Sequence, residues 1–277
     1  EARKCAYGSY VARDFGFPEW HGEPLAGKSI LVYAEQGLGD QIMFASCLPD
    51  LLQHAGRCIV ECSPQLEKLF RRSFPRVTVR AGDQTDRDSS WISRLGAIDY
   101  QVAIGSLPLH FRSDLSRFPH HDGYLQTDSE RWAYWRERLE ALGAGTKIGI
   151  SWRGGAVSTR RELRSIPLEQ WLPLVSQASC HFVSLQYGDN GEESGRFTRE
   201  HDVPIHHWQQ AIDDFDETAA LITGLYLVVS VQTAVAHLSG ALGKPAWVLI
   251  PAVPEWRYLQ TWDAMPWYPS VRLFRQQ

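Results

Sequence analysis

The sequence lacks any long apolar run. Its longest, Ser29–Ala34 and Ala246–Ile250, fall far short of the roughly 20 residues that a membrane-crossing helix needs. It also lacks a basic excess: 28 Lys and Arg stand against 32 Asp and Glu, a formal net charge of -4. The arginines are dispersed apart from a local group at Arg160, Arg161 and Arg164. Nucleic-acid binders carry a basic stripe or patch, so no nucleic-acid partner is expected. Cysteine is scarce: five residues, at 5, 47, 58, 62 and 180, with no C-x-x-C spacing. Cys58 and Cys62 could share one face of a strand. Buried free thiols in a reducing, cytoplasmic setting are the expectation, and a disulfide framework is not. The opening residues show no basic-then-apolar pattern of a signal peptide. A start at Glu1 instead of methionine reads as a fragment or a processed product. No internal repeat and no low-complexity tract occurs.

What is present is ordinary globular composition, 44% hydrophobic and 22% charged, which excludes disorder, collagen and coiled coil. A length of 277 residues suggests two domains. Residues 1–20 read as a helix ending near Phe15 and then a turn, the tail of an upstream helical element. Residues 21–127 read as an α/β domain. Its strands are predicted at Ser29–Ala34, Cys58–Cys62, Val77–Val79 and Tyr100–Ile104. Its first long helix has Ile42, Ala45, Leu48 and Leu52 on one side and a kink at Pro49. Residues 128–145 hold a connecting helix with a Trp132, Trp135, Leu139, Leu142 stripe, capped by Asp128 or Ser129 and closed by Gly143. Residues 146–255 repeat the alternation. Strands are predicted at Lys147–Trp152, His181–Leu185, Leu227–Val231 and Ala246–Ile250, and helices at Leu168–Gln177, Phe215–Thr223 and Thr233–Leu242. The aromatic tail, 256–277, reads as irregular and packed back on a domain. Strand–helix alternation in both halves means two parallel sheets covered by helices, with a cleft facing the carboxyl ends of the strands.

Some motifs mislead. Gly22–Ser29 matches the phosphate-loop pattern GxxxxGK[ST], but a strand follows it where a helix is required, so Lys28 reads as a solvated residue. Gly37-Leu38-Gly39-Asp40 stands between the first strand and its helix, where two glycines permit a tight turn and close approach of a ligand. A dinucleotide fingerprint would need a third glycine where Ile42 stands, although Glu61 sits at the spacing of a ribose-binding acid. Asp40 can accept a proton from a hydroxyl or merely cap the helix, and both readings stand. Glu35 is the second carboxylate on the loop. Thr233, Ala234 and His237 open a helix whose amides suit an anion. The alternative there is a capping threonine and a core histidine. Arg153 and Arg164, after the strand Lys147–Trp152, can neutralise a diphosphate without a metal, whereas Arg160 and Arg161 read as solvated. The pairs His120-His121 and His206-His207 lack a second ligand group at zinc spacing, so no metal is expected. The acids of Asp213–Glu217 read as a helix start.

Taken in order, Trp20-His21-Gly22, Leu25–Lys28, Ala34–Asp40, Arg164–Leu168, Val183–Gln186, Thr233–Leu238, Gly243–Pro245 and Trp267–Pro269 resemble the glycosyltransferase domain that follows tetratricopeptide repeats in bacterial proteins. That domain is related to the heptosyltransferase group, glycosyltransferase family 9, and more distantly to the protein O-linked N-acetylglucosamine transferases. The resemblance implies a GT-B-like fold, two Rossmann-like domains facing a cleft. It implies inverting, metal-independent transfer of a sugar from a nucleotide-sugar to an acceptor hydroxyl, with no cofactor and with a protein or glycan acceptor. It assigns Asp40 as the base and Arg164 to the donor diphosphate. Thr233 and His237 fall at the phosphate-binding helix start, and Leu185 and Gln186 in the nucleotide-base pocket. The chain departs from the pattern at Gln232 and Tyr226, where aspartate is usual, which points to altered donor choice or to a non-catalytic module of the same fold. The weaker alternative is an NAD(P)-dependent oxidoreductase.

Overall fold

The computed structural model describes residues 13–82, 90–155, 161–188 and 190–277. Backbone contacts divide the chain into two compact units, Glu1–Pro119 and His120–Gln277.

The first unit carries a four-stranded sheet of order β3-β2-β1-β4, built from β1 (Ser29–Tyr33), β2 (Arg57–Cys62), β3 (Val77–Ala81) and β4 (Tyr100–Ala103). Every pairing is parallel. A strand buried on both faces needs an unbroken apolar run, and the interior of β1, Ile30-Leu31-Val32-Tyr33, meets that need with exposures of 0–2%. Leu31 and Ile59 pack on Trp91, Ile92 and Ile98, with Phe15 and Phe17 laid against them. Between the strands lie α1 (Leu38–Ala45), α2 (Leu48–His54) and α3 (Glu67–Ser73), and after β4 comes α4 (Leu107–Phe111). The kink expected at Pro49 is a full break. The first helix ends at Ala45 and Pro49 opens the first turn of the next, where its missing N–H costs nothing. Most of the expected N-terminal helix, residues 1–12, lies outside the described residues, and Arg13–Phe15 is not helical.

The second unit opens with α5 (Ser129–Glu140), capped by Asp128, whose Oδ1 accepts from the amides of Glu130 and Arg131, both at 3.0 Å. Its seven-stranded sheet has the order β10-β11-β9-β8-β5-β6-β7. The strands are β5 (Thr146–Ser151), β6 (Cys180–Ser184), β7 (Ile205–His206), β8 (Leu227–Val231), β9 (Ala246–Ile250), β10 (Ala264–Met265) and β11 (Tyr268–Arg275). All pairings are parallel except β10 with β11. The helices are α6 (Leu172–Val175), α7 (Gly191–His201), α8 (Gln209–Asp213), α9 (Phe215–Gly224) and α10 (Ala234–Ala241). Helix α5 packs on α9. Trp135 Nε1 donates to Glu217 Oε2 at 2.7 Å, and Leu139 lies 2.6 Å from where a β-carbon on Gly224 would sit.

Two expectations change here, and one helix was not expected. The tail is not irregular: β11 joins β9 as a regular parallel strand, with Tyr268, Val271 and Leu273 buried and Pro269 and Arg272 exposed. The helix expected at Leu168–Gln177 is a 3-10 turn, Leu168–Trp171, followed by the single turn of α6, with Pro173 at its start. Helix α7 went unread because its sequence, GEESGRFTREH, buries only Ser194 and Phe197 and so offers no apolar stripe.

Candidate functional site

In an open parallel sheet, ligands bind beyond the carboxyl ends of the strands where the winding reverses. In the second unit that reversal lies between β5 and β8, which pair through Ser151 and Ser230. The loops that follow, Trp152–Gly155 and Gln232–Thr233, therefore belong to the expected ligand end. Gly154 shows how closely they meet. A β-carbon there would stand 2.8 Å from the Gln232 carbonyl oxygen and 2.9 Å from that of Arg164, so only glycine fits. The loop is tied further by the isolated bridge Arg153–Ser165 and by the Ile166 amide donating to the Trp152 carbonyl at 2.9 Å.

Around this junction the structure gathers Arg153, Arg164, Gln186, Gln232, Thr233 and Ala234. Arg164 is 11% exposed at its side chain and its Nη1 donates to Glu255 Oε1 at 2.6 Å. Arg257 donates to the other oxygen, Oε2, of the same carboxylate. Thr233 caps α10, its hydroxyl accepting from the Val235 amide at 3.1 Å and meeting Ser230 Oγ at 3.1 Å. Gln232 is 2% exposed, and among the described residues neither end of its carboxamide finds a hydrogen-bond partner. A buried amide without partners costs free energy, and functional sites are where such costs are tolerated.

Several assigned side chains are engaged with partners within the fold. Arg153 pairs with Glu193 at 2.9 Å. Gln186 spends its side chain on the backbone: its Oε1 accepts from the amides of Trp152 and Arg153 at 2.9 and 2.7 Å, and its Nε2 donates to the Arg153 carbonyl at 3.1 Å. Leu185 is 1% exposed and sits over Gly149, 2.5 Å from where a β-carbon would stand. Gln186 therefore shapes the loop from beneath, and Leu185 packs on strand β5. His237 is 3% exposed, with Nδ1 paired to the Tyr268 hydroxyl at 3.1 Å and Nε2 facing the Tyr258 hydroxyl at 3.4 Å. Burial, helped by the charge of Arg257, holds its pKa well below the ordinary histidine value. Both ring nitrogens are engaged within the core, the alternative reading of that residue. Arg160 lies outside the described residues, and Arg161 donates to the Gly155 carbonyl at 3.2 Å.

In the first unit, Glu35 and Gly37 lie in the loop after β1, and Gly39 and Asp40 in the first turn of α1 that follows it. Gln41, with 0% exposure, braces the loop. Gln41 Oε1 accepts from the Ser63 amide at 2.9 Å, and Nε2 donates to the Gln36 carbonyl at 2.9 Å and to Ser63 Oγ at 2.7 Å. Glu35 Oε1 accepts from Gln36 Nε2 at 2.9 Å. Asp40 lies in the first turn of α1, with Oδ2 3.5 Å from where a Gly37 β-carbon would be. Neither Gly37 nor Gly39 takes a positive φ, so the turn does not use the left-handed freedom argued from sequence. What remains is the exposure of Gly37 to an approaching ligand. Glu61 is 1% exposed and held by both terminal nitrogens of Arg13, one of them at 2.9 Å. A ribose-binding acid must face its ligand, so this pairing removes the feature that favoured a nicotinamide cofactor. Lys28 pairs with Asp99 at 3.0 Å, just ahead of β1. No three His, Cys, Asp or Glu among the described residues converge as metal ligands, and no described helix is long and apolar enough to cross a membrane.

Sequence reasoning missed Glu255 and Arg257. They fall at the boundary between a strand and a tail, where no periodicity marks them. Gly154 and Gly155 stand side by side in the sequence, but the close approach at Gly154 follows only from the packed structure.

No family model matches the chain. Protein FlbA of Caulobacter vibrioides is 36% identical over 268 residues, which take in 92% of this chain. The chain spans 44% of the length of that relative. Solved structures with the same fold include a glycosyl transferase of family 9 from Veillonella parvula, at a TM-score of 0.66 and 15% identity, covering 90% of this chain and 86% of that one. The ADP-heptose LPS heptosyltransferase II of E. coli follows at a TM-score of 0.62 and 13% identity, covering 90% and 91%. The E. coli heptosyltransferase WaaC, solved with ADP-2-deoxy-2-fluoro heptose, aligns at 0.55 and 10% identity, covering 90% and 93%. The chain thus has an α/β fold with parallel sheets similar to that of GT-B-like glycosyltransferases.

Proposed function

We propose that this chain is a glycosyltransferase domain that moves a sugar from a nucleotide-sugar to an acceptor hydroxyl, with inversion and without a metal. The observation that carries the reading is the convergence of Arg164, the start of α10 at Thr233 and the glycine-only approach at Gly154 on the carboxyl end of the second sheet. Backbone amides and guanidinium groups fixed before the reaction stabilise a leaving diphosphate without reorganising. Likeness of fold to heptosyltransferases, one solved with an ADP-sugar analogue, supports a nucleotide-sugar as donor. Asp40 is assigned as the base for the acceptor hydroxyl, with Glu35 in reserve. A protein acceptor is favoured.

The test is transfer itself. The chain is incubated with a panel of nucleotide-sugars and candidate acceptors, and release of the nucleoside diphosphate is followed. Acceptor-dependent release from one donor supports the proposal. Tight nucleotide binding with no release or transfer from any donor favours the second reading, a non-catalytic nucleotide-binding module. Gln232, whose amide has no partner among the described residues and which stands where the resemblance leads one to expect aspartate, is the feature favouring that alternative.

A further inference from the structure

We infer that Glu255 is the resident anion of the second unit's ligand site: its carboxylate, held between Arg164 and Arg257, occupies the position of one phosphate group of a diphosphate ligand and is displaced when that ligand binds. The inference rests on the donor reading above and adds Arg257 to the cations that the ligand meets.

The geometry is that of a captured anion. Each oxygen of Glu255 takes a different guanidinium, Oε1 from Arg164 at 2.6 Å and Oε2 from Arg257. A phosphate group presents the same fork-matching oxygens as a carboxylate and carries more charge, so it competes favourably for the same pair.

Exposure tells which partner moves. The Arg164 and Arg257 side chains are 11% and 14% exposed, whereas Glu255 is 30% exposed. The arginines are fixed in the wall and the anion faces solvent, so the carboxylate is the member that can swing into water without leaving a bare buried charge. The wall itself is closely packed. The Arg164 Cβ and carbonyl oxygen lie 3.3 and 2.9 Å from where a Gly154 β-carbon would stand. Beside Arg257, the Tyr258 amide donates to the Glu255 carbonyl at 3.0 Å and its hydroxyl faces His237 of α10 at 3.4 Å. The loop backbone thus stays anchored to α10 while the Glu255 side chain is released.

A displaced counter-ion and a permanent brace predict opposite signs. Titration calorimetry with inorganic pyrophosphate, at fixed ionic strength, compares the wild-type chain with Glu255→Gln, Glu255→Ala and Arg257→Ala, each shown to be folded by circular dichroism and its melting midpoint. Removal of a partly exposed ion pair that must break on binding is expected to tighten pyrophosphate about fivefold in both Glu255 variants, and Arg257→Ala is expected to weaken it. Pyrophosphate affinity that falls or stays level in both Glu255 variants overturns the inference, as does failure of all the folded proteins to bind it. A parallel titration with nucleoside diphosphates separates the two claims. If pyrophosphate follows the expected order and no nucleotide binds, the donor reading falls and the displaced anion stands. If a nucleotide binds but Glu255→Gln gains nothing, the reverse holds.

Discussion

The loop after β1 and the carboxyl end of the second sheet are built in opposite ways. The first is continuous in sequence, carries carboxylates, and is held by a neutral brace, the fully buried Gln41 bridging Gln36 and Ser63. The second is assembled from well-separated segments, carries guanidinium groups, and is held by backbone approach at Gly154 and by a shared carboxylate. Under the proposed function, the difference teaches where each kind of chemistry belongs. A proton acceptor needs one carboxylate in a fixed frame, and a braced loop provides it. A departing diphosphate needs several positive groups arriving from different directions, which only tertiary structure provides.

The largest expected effect separates the two regions by their role. Asp40→Asn should lower turnover by about 10²–10⁴-fold, the usual worth of a positioned base, while nucleotide affinity stays at the wild-type value. Steady-state rates and a binding titration on the same preparation check this. Equal loss of both would erase the division of labour between the regions.

Gly154→Ala probes the close approach. A β-carbon at 2.8 Å from a carbonyl oxygen forces two backbone segments apart, and overpacking of this kind costs about 1–3 kcal/mol. Urea unfolding should show that loss, and an unchanged midpoint would mean the loops are looser than described. No glycine in the loop after β1 takes a positive φ.

A smaller effect distinguishes the core histidine from a ligand contact. Burial holds the pKa of His237 well below its ordinary value, so below about pH 6.5 the unfolded chain binds a proton that the folded chain refuses. Stability therefore falls with acidity in that window, by up to about 1.4 kcal/mol per pH unit. His206, lowered mainly by burial, adds a slope of the same sign. His237→Phe should flatten part of the loss between about pH 6.5 and 5.5 in urea titrations. A slope as steep as the wild type's would place the proton uptake elsewhere.

The contrast between the regions also explains what could be read from the sequence. Strands β8 and β9 match the expected Leu227–Val231 and Ala246–Ile250 because both are short apolar runs bounded by turn residues. Thr233 as a helix cap was legible for the same local reason. Asp40 could be named as a candidate because Glu35–Asp40 is one stretch of chain. Strand β11 was not, since Tyr268–Arg275 contains a proline and gains its order from pairing with β9, a partner about twenty residues earlier in the chain. The Arg164–Glu255 pair joins residues 91 positions apart, and no local pattern encodes such a meeting. Gln186 illustrates a third case. Its position was noticed, but the direction of its side chain, inward to the Trp152–Arg153 backbone, follows only from the packed structure.

The most direct test of the central claim, that the second unit binds the diphosphate of a nucleotide-sugar through Arg164, is a calorimetric titration of a nucleoside diphosphate panel into the wild-type chain and Arg164→Ala. Loss of a charge-assisted hydrogen bond predicts that the preferred nucleotide binds the variant roughly tenfold to a hundredfold more weakly. Equal affinity in the two proteins, or no nucleotide bound by a folded wild-type chain, would contradict the account.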